Sequence, residues 1–262
     1  VGNIMCDEGI KTVGPRTPIK RAGEVLEQKG IKVVPVVNEE EELLGVITSS
    51  DIAHRYLEEI AVESLQEVPT CLENIIQTLD GEVITSHHNL CSEITGNIFT
   101  GAMEPETMKD YINPGDIVLL GDRPKAQRIA VETRVCCLIV TGGLEITPRI
   151  RELADKKGTT IIKVPYDTFA SARLINMSVP VEKVMSREVE TFYPDELVED
   201  VKEDIINSRY RSYPVVDRDN KLLGLISARN LINYQRKQVV LVDHNERSQA
   251  VEGIKEAELV EV

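Results

Sequence analysis

Apolar and polar positions alternate along this chain with two different periods, and each change of period marks a predicted element. Between Lys20 and Gln28, Ala22, Val25 and Leu26 stand at helical spacing, and Gly30 is placed to end the helix. A β-branched run from Lys32 to Val37 predicts a strand, Asn38-Glu39-Glu40-Glu41 a solvated turn, and Leu43 to Thr48 a second strand. Ser50-Asp51 opens a helix from Ile52 to Ile60, with either side chain able to cap it. The same order returns near the other end. Pro194-Asp195-Glu196 opens a helix to about Asn207, Ser212 to Val216 and Leu222 to Ser227 are strands around the turn Asp217-Arg218-Asp219-Asn220, and Asn230 to Arg236 is the closing helix.

Between these stretches the pattern predicts an alternation of strands and helices. Leu72 to Leu79 is a helix and Glu82 to Thr85 a strand. After the turn Asn113-Pro114-Gly115-Asp116 come a buried strand, Ile117 to Leu120, and a helix, Ala126 to Glu132. Val135 to Val140 is an apolar strand ending in Thr141-Gly142-Gly143, Pro148 to Lys157 a helix, Thr160 to Val164 a strand and Tyr166 to Ile175 a helix. Alternation of this kind implies a mostly parallel sheet, so the fold class is α/β.

The flanking stretches repeat one another. Leu43-Leu44-Gly45-Val46-Ile47-Thr48 aligns with Leu222-Leu223-Gly224-Leu225-Ile226-Ser227 at an offset of 179 positions, which holds from Lys32 on Arg211 to Ile52 on Leu231. One gap upstream, Val1-Gly2-Asn3-Ile4-Met5 aligns with Val181-Glu182-Lys183-Val184-Met185. One supersecondary unit therefore occurs twice, each copy too small to close a core alone, and the copies are expected to pack together.

Composition narrows the function. A formal charge of −14 argues against a nucleic-acid partner, which needs a broad basic field. No apolar run is long enough for a membrane span, and the amino terminus lacks a signal-peptide pattern. The five cysteines, with no C-x-x-C pair, are expected as reduced, buried thiols in a cytoplasmic protein. The chain starts at Val1 without Met, as a piece of a longer protein would.

Chemistry concentrates where the second strand of each copy meets the following helix. Thr48 and Ser227 aim a hydroxyl and backbone N–H groups at a helix start, where the dipole favours phosphate. Asp51 and Asn230, three residues on, are able to bond a ribose diol or simply to cap their helices. The second copy carries Arg209, Tyr210, Arg211, Tyr213 and Arg229 where the first has Gly30, Ile31, Lys32, Val34 and Ser50. Arginine offers bidentate phosphate contacts and tyrosine a face for a purine; an exposed basic edge with half-buried tyrosines is the alternative. Asn230 in place of Asp51 also removes a negative charge, making the second copy the better anion site.

This duplicated pattern resembles the CBS domain, two of which form a Bateman module that binds adenine nucleotides in the clefts between its copies. The resemblance implies nucleotide contacts at Lys32, Val34, Pro35, Thr48 and Asp51, and at Arg211, Tyr213, Pro214, Ser227, Arg229 and Asn230. Gly121-Asp122-Arg123 followed by Thr141-Gly142-Gly143 resembles the DRTGG domain. Its Gly-Gly either cradles a phosphate or makes a tight turn for close helix approach. His87-His88 has no carboxylate nearby in sequence to complete a metal site.

The tail reads Leu241-Val242-Asp243-His244-Asn245-Glu246, a β-branched run delivering an Asp suited either to a divalent cation or to an Asx turn. It resembles a segment of the family II inorganic pyrophosphatases of the DHH phosphoesterase superfamily, which implies that Asp243 is a ligand of catalytic Mn2+ or Co2+ in a complete enzyme. The order CBS, DRTGG, CBS resembles the regulatory insert of the CBS-containing members. Expected domains are residues 1–60, 72–175 and 176–236, with 237–262 the start of a catalytic segment. The resemblance implies AMP and ADP as inhibitors, ATP or diadenosine polyphosphates as activators, a homodimer formed partly through the DRTGG unit, and no hydrolysis by this stretch alone. Rival readings are a sensor of another DHH phosphoesterase, a sensor of S-adenosylmethionine, a phosphoesterase activity of the insertion or tail, and a purely structural dimerisation module.

Overall fold

The buried strands of the insertion organise the larger part of the molecule. A computed structural model describes residues 1–28, 31–58, 70–94, 96–207 and 212–234. The chain divides into two units, one holding residues 14–31 and 47–185, the other residues 1–13, 32–46 and those from 186 on. The first unit contains α1 (Ile19–Glu27), α2 (Ser49–Glu58), β3 (Thr70–Cys71), α3 (Leu72–Leu79), β4 (Glu82–Thr85), β5 (Glu93–Ile94), β6 (Ile98–Thr100), α4 (Pro105–Met108), β7 (Ile117–Leu120), α5 (Pro124–Glu132), β8 (Cys137–Val140), α6 (Pro148–Lys157), β9 (Thr160–Lys163) and α7 (Thr168–Leu174).

Its five-stranded sheet runs β4-β9-β8-β7-β6, with β6 to β9 parallel and β4 antiparallel at the edge. Every residue of β7 and β8 is buried, because helices cover both faces. One face packs Ala126, Ala130, Ile150 and Ala154 against Val118, Leu120, Leu138 and Val140. The other packs Leu72, Ile75, Leu79 and Ile175 against Ile117, Leu119, Cys137 and Ile139. The Asn113–Asp116 turn is locked by the buried Asp116, whose carboxylate accepts the N–H groups of Asn97 at 2.9 Å and Asn113 at 2.6 Å. Within this unit α1 is tied to the segment after the sheet, Ile19 N–H donating to Val179 O and Val181 N–H to Thr17 O.

The other unit contains β1 (Val33–Val37), most of β2 (Leu43–Thr48), α8 (Val198–Asn207), β10 (Ser212–Val216), β11 (Leu222–Ser227) and α9 (residues 228–234). Its plan is a twofold written into the backbone. Hairpins β1-β2 and β10-β11 are each joined by one parallel bridge, Val13 beside Val36 and Phe192 beside Val215. The hairpins meet start to start, Glu42 bridging its own counterpart Lys221, with reciprocal bonds from Leu43 N–H to Asn220 O and from Leu222 N–H to Glu41 O. The lead-in segments are exchanged: Cys6, ahead of the first copy, pairs with Leu225 of the second, and Ser186, ahead of the second, pairs with Val46 of the first. The turns match as well. Asn38 Oδ1 accepts from Glu40 and Glu42, Asp217 Oδ1 from Asp219 and Lys221, and Glu41 and Asn220 both take left-handed φ, 66° and 62°.

Four expectations need correction. The helix after β2 begins at Ser49, not Ile52, because Thr48 precedes its first turn and supplies the cap. The helix near Pro194 begins at Val198, since Glu196 is turned back to accept Tyr193 N–H at 3.0 Å. The final helix starts at residue 228 rather than 230. Of the cysteines only Cys137 is buried, while Cys6 and Cys91 are exposed. Burial pushes the Cys137 thiol well up, and the hydrogen bond to Glu73 raises that of Cys91, so both are held as thiols. Among the described residues no helix is long and apolar enough to cross a membrane. Gly30 lies outside the described residues.

Candidate functional site

The two strand–helix junctions share one hydrogen-bond pattern. At the first, Asp51 Oδ2 accepts both the N–H and the hydroxyl of Thr48 at 2.7 Å, and Thr48 Oγ1 faces Asp51 N–H at 3.3 Å. This is a reciprocal capping box, with aspartate in the third helical position. At the second, Asn230 Oδ1 accepts Ser227 N–H at 3.0 Å and the Ser227 hydroxyl at 2.5 Å. The amide of Asn230 does one thing more: its Nδ2 donates to the carbonyl of Ile4, on the exchanged lead-in, at 2.9 Å. A carboxylate has no such donor. Asparagine in the second copy therefore has a structural cause besides the charge it removes.

Ser49 and Ser50, the first residues of α2, are exposed at the positive end of its dipole. Lys32 and Arg229 are exposed, and Thr48, Asp51, Ser227 and Asn230 half-buried. Val34, Pro35 and Pro214 are buried, and the carbonyls of Pro35 and Pro214 already accept from Val13 N–H and Phe192 N–H, each at 3.1 Å. Tyr213 corrects the expectation of a purine-stacking face. Its ring is 1% exposed, packed 5.3 Å from the ring of Phe192 and among Val201, Ile205, Val215 and Ile226. Arg209, Tyr210, Arg211 and Asp243 lie outside the described residues.

Arg123 and the Thr-Gly-Gly residues of the insertion serve its architecture. The Arg123 guanidinium donates to the carbonyls of Gly101 and Met103, fastening the loop after β6 to the start of α5. Thr141 Oγ1 bonds Thr168 Oγ1 at 2.7 Å. The N–H groups of Gly142 and Gly143 donate to Tyr166 O at 2.7 Å and Val164 O at 2.8 Å, so they are not turned toward a phosphate. With φ of 79° and 65°, the pair makes the tight turn. His87 does find a carboxylate, Asp155 of α6, at 3.0 Å, which the local sequence did not reveal. Among the described residues no group of three or more His, Cys, Asp or Glu side chains is arranged to hold a metal.

Comparison with known proteins matches these parts. The CBS domain family model matches residues 1–58 and 181–237, and the DRTGG domain model residues 74–178. A cobalt-dependent inorganic pyrophosphatase of Clostridium perfringens is 37% identical over 257 residues, 97% of this chain and 46% of that protein. A probable manganese-dependent inorganic pyrophosphatase of Thermotoga maritima is 33% identical over 250 residues, 95% of this chain and 45% of that protein. The chain thus spans about half the length of the curated relatives it matches. Among solved structures, the CBS and DRTGG domains of the regulatory region of the C. perfringens pyrophosphatase, complexed with its activator diadenosine tetraphosphate, superpose with a TM-score of 0.76. That match has 34% identity and covers 85% of this chain and 96% of that one.

Proposed function

The chain belongs to the CBS–DRTGG–CBS regulatory regions of inorganic pyrophosphatases, and on that premise we propose that it binds adenine nucleotides and so controls pyrophosphate hydrolysis by a parent enzyme. The observation that carries this reading is the doubled junction. Thr48 with Asp51 and Ser227 with Asn230 repeat one geometry, and each stands at a helix start, where the dipole favours a phosphate. The solved relative's dinucleotide, with an adenosine at each end, supports it.

In this reading Lys32 and Arg229, with Arg211, bring cations to the phosphates, and the strands carrying the buried Val34, Pro35, Tyr213 and Pro214 wall the place of the base. A ligand regulates only by binding two arrangements of the copies unequally. AMP and ADP favour the inhibited arrangement; ATP or a diadenosine polyphosphate, bridging two chains of a homodimer, favours the active one. The parent is a cytoplasmic hydrolase using manganese or cobalt, with Asp243 among the ligands. The relatives' cobalt and manganese dependence supports the metal class without choosing between the two.

Calorimetric titration of the chain with AMP tests the proposal. Saturable binding is expected, weakened about tenfold or more by Arg211→Ala, the worth of one charge-assisted phosphate contact. One observation favours a scaffold instead: Asp51 Oδ2 and Asn230 Oδ1 are already taken by the caps, and Asn230 Nδ2 by Ile4 O. No heat with AMP, ADP, ATP or diadenosine tetraphosphate would establish that second reading.

A further inference from the structure

The first helix of the insertion ends at a polar cluster drawn from three distant stretches of the chain. Asp80, the C-cap of α3, sits in the left-handed region at φ 49°. Its carboxylate receives Tyr166 OH at 2.6 Å, an Arg21 guanidinium N–H at 2.7 Å and Lys20 Nζ at 3.1 Å. Lys20 and Arg21 belong to α1 of the first CBS copy. They also reach the last-turn carbonyls of α3, Lys20 to Thr78 O at 2.7 Å and Arg21 to Gln77 O at 2.9 Å. Two cations therefore sit at the negative end of the α3 dipole. Glu24 orients Arg21 from the same helix at 2.8 Å, and Lys20 lies 5.5 Å from the centre of the Tyr166 ring.

Each end of this cluster leads somewhere. Tyr166 is held by the signature turn, because Gly142 N–H donates to its carbonyl and Thr141 bonds Thr168 just beyond it. At the other end α1 lies against α2: a Cβ on Gly23 would stand 3.6 Å from Ile52 Cδ1, and Ile52 follows Asp51 directly. The contacts are polar and partly exposed, with Arg21 and Asp80 side chains each 40% accessible. Pairs this exposed are weak, so a small shift of α1 is able to open or remake them. Buried apolar packing has no comparable ease.

We propose that the Thr-Gly-Gly turn and Tyr166 are positioning residues of a coupling clamp, Asp80 with Lys20 and Arg21, through which nucleotide binding at the start of α2 reaches the inserted domain. The inference rests on the nucleotide-binding reading above. It gives the signature turn a task that neither phosphate binding nor catalysis supplies.

Hydrogen–deuterium exchange of the whole chain, with and without saturating AMP, is the test. In the parent, AMP should slow exchange in residues 43–58 and also change it about fivefold or more in α3, at the low end of ordinary coupling. Tyr166→Phe removes one hydroxyl and leaves the ring, and the pair Lys20→Gln with Arg21→Gln removes the cations. Both should bind AMP within about twofold of the parent, about 0.4 kcal/mol. Both should keep the response of residues 43–58 and lose that of α3. A response in α3 as large as the parent's, or one that falls only in step with affinity, overturns the clamp alone. Absence of AMP binding by the parent overturns the functional reading and the clamp with it.

Discussion

Asn230→Asp isolates the bond that separates the two copies. The substitution keeps an oxygen to accept from Ser227, as Asp51 accepts from Thr48, but replaces the Nδ2–H2 that donates to Ile4 O with a second oxygen. The hydrogen bond of 2.9 Å becomes a contact between a carboxylate and a carbonyl on partly buried groups. Losing a typical bond costs about 1 kcal/mol, and leaving the acceptor unpaired brings the total to about 1–3 kcal/mol. In a chain of this size that lowers Tm by about 2–8 °C at neutral pH. The sign of the pH dependence follows. Repulsion from Ile4 O raises the folded pKa of the new carboxyl above its unfolded value of about 3.9. The deficit is then full above the folded pKa and shrinks as pH falls through it, when the protonated acid donates to Ile4 O again. Thermal unfolding of parent and variant between neutral pH and about pH 4 measures both effects. A variant as stable as the parent at neutral pH, or a deficit that does not shrink in acid, refutes a structural role for the Asn230 amide.

Asp80 gives the opposite pH signature. The Tyr166 hydrogen bond, then those of Lys20 and Arg21, hold its carboxyl below the usual range against the opposing effect of burial. Its contribution is present above about pH 3.9 and is lost as pH falls through the lower folded value. Asp80→Asn, which tolerates the left-handed φ, should destabilise by about 1 kcal/mol or less near neutrality and converge with the parent in acid; urea titrations at several pH values check this. Gly224→Ala sets a methyl 2.7 Å from Met5 Sδ and 3.0 Å from Cys6 O. The thioether is able to move, but the Cys6 carbonyl is fixed by Leu225 N–H, so the exchanged lead-in should loosen at a cost of about 1–3 kcal/mol, read from the urea midpoint.

The parts legible in the sequence were those governed by local periodicity. Leu72–Leu79, Glu82–Thr85, Ile117–Leu120 and Pro148–Lys157 fall where hydrophobic spacing placed them, because in each the apolar pattern and the flanking turn residues are local to the element. Helix starts slipped by a turn wherever the capping residue was misjudged, as at Thr48. The segment exchange around Cys6 and Ser186 is made by backbone N–H and C=O groups, which every residue carries, so no side chain announced it. The same holds for the Ile4 carbonyl that selects Asn230. The Asp80 cluster joins three stretches far apart in the chain, and a lone Asp, Tyr or Lys-Arg pair has no spacing to reveal it. Tyr213 suits a purine face or a packing role by residue type alone, and its packing against Phe192 decides for the second.

Recognition of adenine nucleotides is tested most directly by base selectivity: titrating the chain in parallel with AMP and CMP, which share a ribose phosphate and differ in the base. Saturable heat from AMP, with CMP weaker by about tenfold or more, is the predicted result. Equal binding of the two, or none of either, contradicts it.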